Sequence, residues 1–234
     1  MMKKLICGSI LFMSFLGEAK CIKGIYSTGI SSDSLVFETS SGPNAIEVAS
    51  EYGIGAKVGT VVFCPSNKLE FTPYLRARLF KFKNSKTTEL NIDETNFILS
   101  TGLDTRLVKS KKYEWIGDSE LRQEYYLRPQ NGILQNDTYL NLKLALGVRY
   151  TISRDSRADY NVIFKYGALI PVSERDAVDL GNVYEIDLEY FKRMAKDYSI
   201  RADLYFSSYD QNISELNTTR TELGFRINYI FRYL

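Results

Sequence analysis

The sequence predicts an all-β protein, an antiparallel transmembrane β-barrel of ten strands. Three observations lead there. Ten segments read as strands, several of them alternating apolar and polar residues cleanly with a period of two, which suits a strand and not a helix. The connections between them run short, long, short, long. The chain opens on a secretory leader, and no other stretch approaches the apolar length of a spanning helix.

The leader is read from its three parts. Met1–Lys4 is short and basic, Leu5–Leu16 is apolar, and Gly17-Glu18-Ala19 is a small-x-small cleavage pattern. Residues 1–19 are therefore expected to be removed, leaving Lys20 first. Cys7 leaves with the leader, and Cys21 and Cys64 remain as an even pair in an exported chain. A Cys21–Cys64 disulfide is the expectation, with two unpaired small hydrophobes as the alternative. Lys20 and Glu18 do not fit the small residues that a lipid-attachment site at Cys21 needs. Tyr (17) and Phe (13) are abundant beside a single Trp115, a composition suited to strands and to a membrane–water interface. The formal net charge of +2 gives nucleic-acid binding no electrostatic support.

The strands follow in order at 33–40, 50–63, 69–82, 96–108, 112–126, 138–152, 159–170, 183–194, 197–209 and 219–233. In 69–82, Leu69, Phe71, Leu75, Ala77 and Leu79 lie opposite Glu70, Thr72, Tyr74, Arg76 and Arg78. Parity places Asp104 and Arg106 on the polar face of 96–108, and Glu120, Arg122 and Glu124 on that of 112–126. In 138–152, Leu140, Leu142, Leu144, Leu146, Val148, Tyr150 and Ile152 oppose a face with Lys143 and Arg149. Lys165 is the polar-face cation of 159–170. In 183–194, Tyr184, Ile186, Leu188 and Tyr190 oppose Glu185, Asp187 and Glu189. Arg201 and Asp203 share the polar face of 197–209. The last strand alternates longest, with Thr219, Thr221, Leu223, Phe225, Ile227, Tyr229, Phe231 and Tyr233 opposite a face with Glu222, Gly224 and Arg226.

Connection lengths supply orientation. Cys64–Lys68, Lys109–Lys111, Ser153–Ala158 and Ala195-Lys196 are short, whereas Lys83–Thr95, Leu127–Asp137, Pro171–Asn182 and Asp210–Thr218 are long. Barrels of the bacterial outer membrane pair short periplasmic turns with long external loops and an even strand number. The 50–63 strand then runs inward and needs an outward partner before it, which is Ser34–Ser40. Both termini and both cysteines fall on the periplasmic side. Residues 20–33 are expected to be a periplasmic N-terminal segment, either a tail or a short lumen plug, and 34–234 the barrel. Eight or twelve strands follow instead if the first hairpin is misread or the long loops hide strands.

In this pattern the chain resembles Gram-negative outer-membrane β-barrel proteins. The sharpest resemblance is C-terminal, where Gly224, Ile227, Tyr229 and Phe231 match the strand signal read by the barrel assembly machinery. The chain departs from that signal by running on through Arg232-Tyr233-Leu234. The resemblance implies residence in the outer membrane, with its lipid and that machinery as partners.

Chemistry is bounded first by the absence of histidine. Ser-His-Asp, Cys-His and histidine-based zinc sites are excluded. The omptin proteases and the outer-membrane phospholipase are similar in architecture but rely on a catalytic histidine, so neither activity carries over. Glu185, Asp187 and Glu189 stand about 7 Å apart along one strand face. They suit a cation site or an acid/base pair, or else simple pairing with facing cations. Pairing is the economical reading, because the inward charges of the two signs nearly balance and like charges cannot be buried alone. That balance, in a barrel this slim, speaks against a wide or strongly selective pore. The expectation is a structural barrel or a narrow, gated channel, not an enzyme and without a cofactor. Two alternatives stand beside it: a soluble periplasmic or secreted barrel enclosing an apolar ligand, and a carboxylate-dependent outer-membrane enzyme.

Overall fold

The computed structural model describes residues 21–41, 44–65, 68–82, 90–91, 95–108, 112–130, 133–155, 157–172, 179–195, 197–213 and 216–232. The leader expected over 1–19 lies outside them. Eleven strands follow in chain order: β1 Ile22–Ser41, β2 Asn44–Cys64, β3 Leu69–Phe82, β4 Leu90–Asn91, β5 Thr95–Val108, β6 Tyr113–Gln130, β7 Ile133–Arg154, β8 Ala158–Pro171, β9 Gly181–Ala195, β10 Tyr198–Ile213 and β11 Leu216–Arg232. Ten of them form a closed antiparallel ring in which each long strand pairs with its neighbours in sequence and β1 closes on β11. The two-residue β4 stands outside the ring and pairs parallel to β7 at Leu134 and Gln135, beyond the end of β8.

Closure gives every long strand a partner on both sides through the middle of the barrel, which is what a sheet needs where no water can reach an edge. The side chains divide accordingly. Leu75 and Leu79 of β3, Leu144 and Leu146 of β7, and Ile186 and Leu188 of β9 point outward and are exposed. Their strand neighbours Arg76, Arg78, Ala145, Asp187 and Glu189 point inward and are buried. Rings gather toward the short-turn end of the outer surface. Tyr26 meets Phe231, Tyr113 meets Tyr150, Tyr160 meets Tyr190 and Tyr198 meets Tyr229, with centroids 5.1–6.1 Å apart. Tyr166 and Tyr184 make a further pair nearer the other end.

The polarity is thus apolar outside and charged inside. This overturns the alternative of a soluble barrel enclosing an apolar ligand, which requires the opposite arrangement. A continuous apolar belt of this extent is not stable facing water.

Two expectations about boundaries are corrected. Residues 22–33 are neither tail nor plug but the first half of β1, paired with β2 and β11 along its length. Their small residues obscured this. Ser27, Gly29 and Ser31 face the interior, where larger side chains from other strands fill the space. Gly29 has Asn228 so close that a Cβ would collide with it. The stretches 127–137 and 210–218 are not long loops either. β6 and β7 stay paired up to Gln130↔Ile133, and β10 and β11 up to Ile213↔Leu216. The alternation fades there because the sequence turns mostly polar at both parities, while the backbone still pairs. A further shift of pairing at Ser50/Tyr52 moves Val48 and Ser50 onto the same inner face as Gly53.

The short-turn end is tied covalently. Cys21 and Cys64 form a disulfide beside the Ile22↔Phe63 pairing of β1 and β2. The following turn closes with Lys68 donating its backbone N–H to the Pro65 carbonyl at 3.3 Å, Lys68 itself taking φ 51°.

Candidate functional site in the barrel lumen

The inward faces fill the lumen in layers. At the loop end the layer is apolar: Leu35 and Phe37 of β1, Val48 of β2, Phe80 and Phe82 of β3 and Ile98 of β5 pack as one cluster. Leu169, Val183 and Tyr209 form a second cluster on the wall of β8, β9 and β10. Phe80, Leu169 and Val183 are 0% exposed, so solvent reaches none of the three.

Glycine makes room for that layer. Gly53 pairs directly with Phe80 across β2 and β3, and a Cβ on it would lie 2.5 Å from the ring. The same device recurs deeper, where Gly224 faces Tyr205 across β11 and β10.

Below the apolar layer lies an arginine layer. Arg78 donates to Glu222 at 2.7 Å and lies over the Phe80 ring, and Arg220 also pairs with Glu222. Arg122 donates to the Tyr209 hydroxyl at 3.1 Å and stacks over its ring. Cation–π contact lets these guanidiniums bridge from the charged lumen to the apolar lid. Beside them Arg76 donates to the Tyr205 hydroxyl at 3.2 Å, and that hydroxyl donates to Asp33.

The middle of the lumen is organised around two ammonium groups. Lys143 Nζ lies 2.5 Å from Asp118, 2.6 Å from Glu185 and 3.5 Å from Glu120. Lys165 Nζ lies 2.5 Å from Glu185, 3.6 Å from Asp118 and 3.9 Å from Asp187. Arg226 continues the chain to Asp187 (3.5 Å) and Asp203 (3.8 Å). Nearer the short-turn mouth, Arg149 bridges Glu114 and Glu189, Arg201 meets Glu189 at 3.1 Å, and Arg106 joins Glu114 to Glu70. Lys57 pairs with Asp104 at 2.8 Å over the face of Tyr74.

A cavity of about 250 Å³ runs through this network. Side-chain exposure falls from 27% at Arg201 and 24% at Arg106 near the mouth to 4% at Lys143 and 1% at Glu222. The lumen is therefore a cup open toward the short turns and closed toward the loops.

The sequence-derived lumen set is found in this interior: Arg76, Arg78, Asp104, Arg106, Glu120, Arg122, Lys143, Arg149, Lys165, Glu185, Asp187, Glu189, Arg201, Asp203, Glu222 and Arg226 are buried in it or line the cavity. The side chain of Glu124 lies outside the described residues. In the C-terminal motif, Gly224 faces inward while Tyr229 and Phe231 join the outer aromatic ring.

Sequence reasoning missed Asp33, Lys57, Glu114, Asp118 and Arg220. Glu114 and Asp118 share the parity of Glu120, and Arg220 that of Glu222, so that signal was present. Lys57 has only glycines as its inward neighbours, and Asp33 fell at the misplaced start of β1. The three carboxylates Glu185, Asp187 and Glu189 each have a cation within 4 Å, and the described residues hold no group of three or more potential metal ligands suited to an ion.

No family model matches the chain, and no curated protein does. Solved structures similar in shape include the outer membrane protease OmpT of Escherichia coli, at 6% identity over 92% of this chain and 98% of that one, TM-score 0.46. The β domain of the Bordetella autotransporter BrkA is similar at 11% identity over 90% and 99%, TM-score 0.49. The translocator domain of the autotransporter NalP of Neisseria meningitidis is similar at 10% identity over 99% and 96%, TM-score 0.42. At such identities and scores these likenesses carry no argument about function. The ten-stranded antiparallel barrel stands on the chain's own closed ring of pairings.

Proposed function

We propose that this chain spans the bacterial outer membrane as a barrel whose lumen is shut at rest, serving as a structural barrel or as a narrow channel that opens by a gate. The observation that carries the reading is the pairing of an apolar outer belt with a lumen sealed by the Leu35–Phe37–Phe80–Ile98 cluster. The apolar belt supports a lipid environment, and the short turns gathered at the end where β1 begins and β11 finishes support a periplasmic side. Gly224, Ile227, Tyr229 and Phe231 supply the strand on which the barrel assembly machinery would act. The paired carboxylates have no place in a catalytic cycle on this reading, and Glu185→Gln is expected to alter stability without abolishing any turnover.

The test is electrical. Protein comprising residues 20–234, refolded in detergent, is added to a planar bilayer. Insertion without a steady open level is expected, and discrete current steps are expected once Phe80→Ala and Arg78→Ala are combined. A wild-type pore that stays open would overturn the sealed lumen. A protein that remains monodisperse in plain buffer and never inserts would overturn the membrane reading.

A further inference from the structure

The net charge of +2 conceals a separation of charge along the barrel axis. Among the described residues of 65–68, 112, 154–157 and 192–197, which connect or flank strands at the short-turn end, six are Lys or Arg and two are acids. Among those of 38–51, 81–91, 124–137, 172–182 and 210–218, at the other end, seven are acids and two are basic. Lys112 before β6 and Lys192 and Arg193 of β9 belong to the short-turn rim.

The rim from β6 to β9 is where charge and aromatic surface coincide. Arg193 and Arg157 are exposed on neighbouring connections, joined by the Arg193 N–H to the Arg157 carbonyl at 2.8 Å. Neither they nor Lys192 make an ion pair among the described residues. Lys192 follows Tyr190 on the outward face, and exposed Lys112 precedes Tyr113. The acids nearby are Asp159, which Arg154 engages at 3.0 Å, the exposed Asp155, and Asp197 in the β9–β10 turn. Just inside this basic edge lie the Tyr113–Tyr150 and Tyr160–Tyr190 pairs, together with exposed Trp115 and Ile152. Rings of this kind settle at headgroup depth, and long cations beside them reach to the phosphate level. Each Lys or Arg held near an anionic leaflet gains about 1 kcal/mol from it, whereas a zwitterionic leaflet offers no such gain.

We propose that the short-turn rim of β6–β9, with Arg157, Lys192, Arg193 and Lys112 above its tyrosines, binds the phosphates of anionic phospholipids in the facing leaflet. The inference rests on the membrane reading above. Trp115 makes it measurable, because it is the sole tryptophan, faces outward at 51% exposure, and stands beside the rim.

The experiment reconstitutes the full barrel in vesicles and quenches Trp115 with brominated phosphatidylglycerol or brominated phosphatidylcholine in competition. A preference of at least about fivefold for the anionic lipid is expected at low salt, one cation's worth of attraction. It should fall toward one in 1 M salt, where the screening length is about 3 Å. In the triple variant Arg157→Gln, Lys192→Gln, Arg193→Gln the preference should fall likewise. Equal quenching by both lipids in the wild type would overturn the rim site while leaving the membrane reading in place. A triple variant that keeps the full preference would also overturn it. No quenching by either lipid would remove the membrane reading, and this inference with it. Should the triple variant not fold, the salt series on the wild type decides.

Discussion

Lys143 shows how much of the interior depends on single side chains. Its ammonium lies within 3.5 Å of Asp118, Glu185 and Glu120 at once, and it is almost wholly buried. Replacing it with Met keeps the length and removes the charge. Three carboxylates are then left sharing Lys165 and the arginines, so the variant is expected to lose about 3–5 kcal/mol, the cost of orphaning buried charge. Arg154, whose side chain is 41% exposed, makes an ion pair of similar geometry with Asp159. Water screens that pair, and Arg154→Gln is expected to cost less than about 1 kcal/mol. Chemical unfolding of the two variants in the same detergent separates these outcomes, and equal losses would refute the layered burial described for the lumen. At Gly224 the constraint is spatial. A Cβ there would lie 2.6 Å from the Tyr205 ring and 2.5 Å from Asp33, so Gly224→Val is expected to cost about 1–3 kcal/mol by overpacking. The glycine of the C-terminal motif thus serves the folded barrel as well as any recognition before folding.

At the scale of elements, the wall is built from hairpins, and the hairpin of β1 and β2 is fastened twice. Strand pairing holds it along its length, and the Cys21–Cys64 bond closes a 43-residue separation at its open end. Cross-linking a loop of that size restrains the unfolded chain by roughly 4 kcal/mol on the chain-entropy account. Unfolding with and without reductant, or of the double Cys→Ser variant, is expected to show a loss of that order, and no change would mean that the β1–β2 pairing alone suffices. β1 also pairs with β11 to close the ring, so the fastened hairpin carries one of the two edges that meet at the closure.

At the scale of the whole molecule, the barrel is a cup. Its loop end carries an apolar lid, its lumen an ion-pair lattice, and its short-turn end a solvent-reached cavity of about 250 Å³. Conduction through such a barrel requires the lid to part, so substitutions at the lid should matter more than substitutions at the mouth. Phe80→Ala together with Arg78→Ala is expected to produce discrete openings in a planar bilayer, while Arg201→Gln at the mouth is expected to leave the closed level unchanged. Openings of the same size in both would place the barrier elsewhere.

What the sequence by itself determined is the part governed by local periodicity. A strand turns its side chains to alternate faces, so long two-residue alternations such as Leu140–Ile152 and Leu223–Phe231 establish strand, face and barrel together. Most of the inward charges followed from parity alone, and the expectation of a Cys21–Cys64 pair from their being the two cysteines outside residues 1–19. Only the tertiary structure decided where pairing begins and ends, and what sits opposite what. Ser27, Gly29 and Ser31 read as tail or plug because small residues carry no periodic signal, yet they form wall since Asn228 and larger lumen side chains occupy their space. The polar hairpin tips read as loops because polar residues fall at both parities there, although their backbones still pair. The seal of the lumen comes from Leu35, Phe37, Phe80, Ile98, Leu169 and Val183. These residues come from five strands, and only closure of the ring gathers them at one end of the lumen.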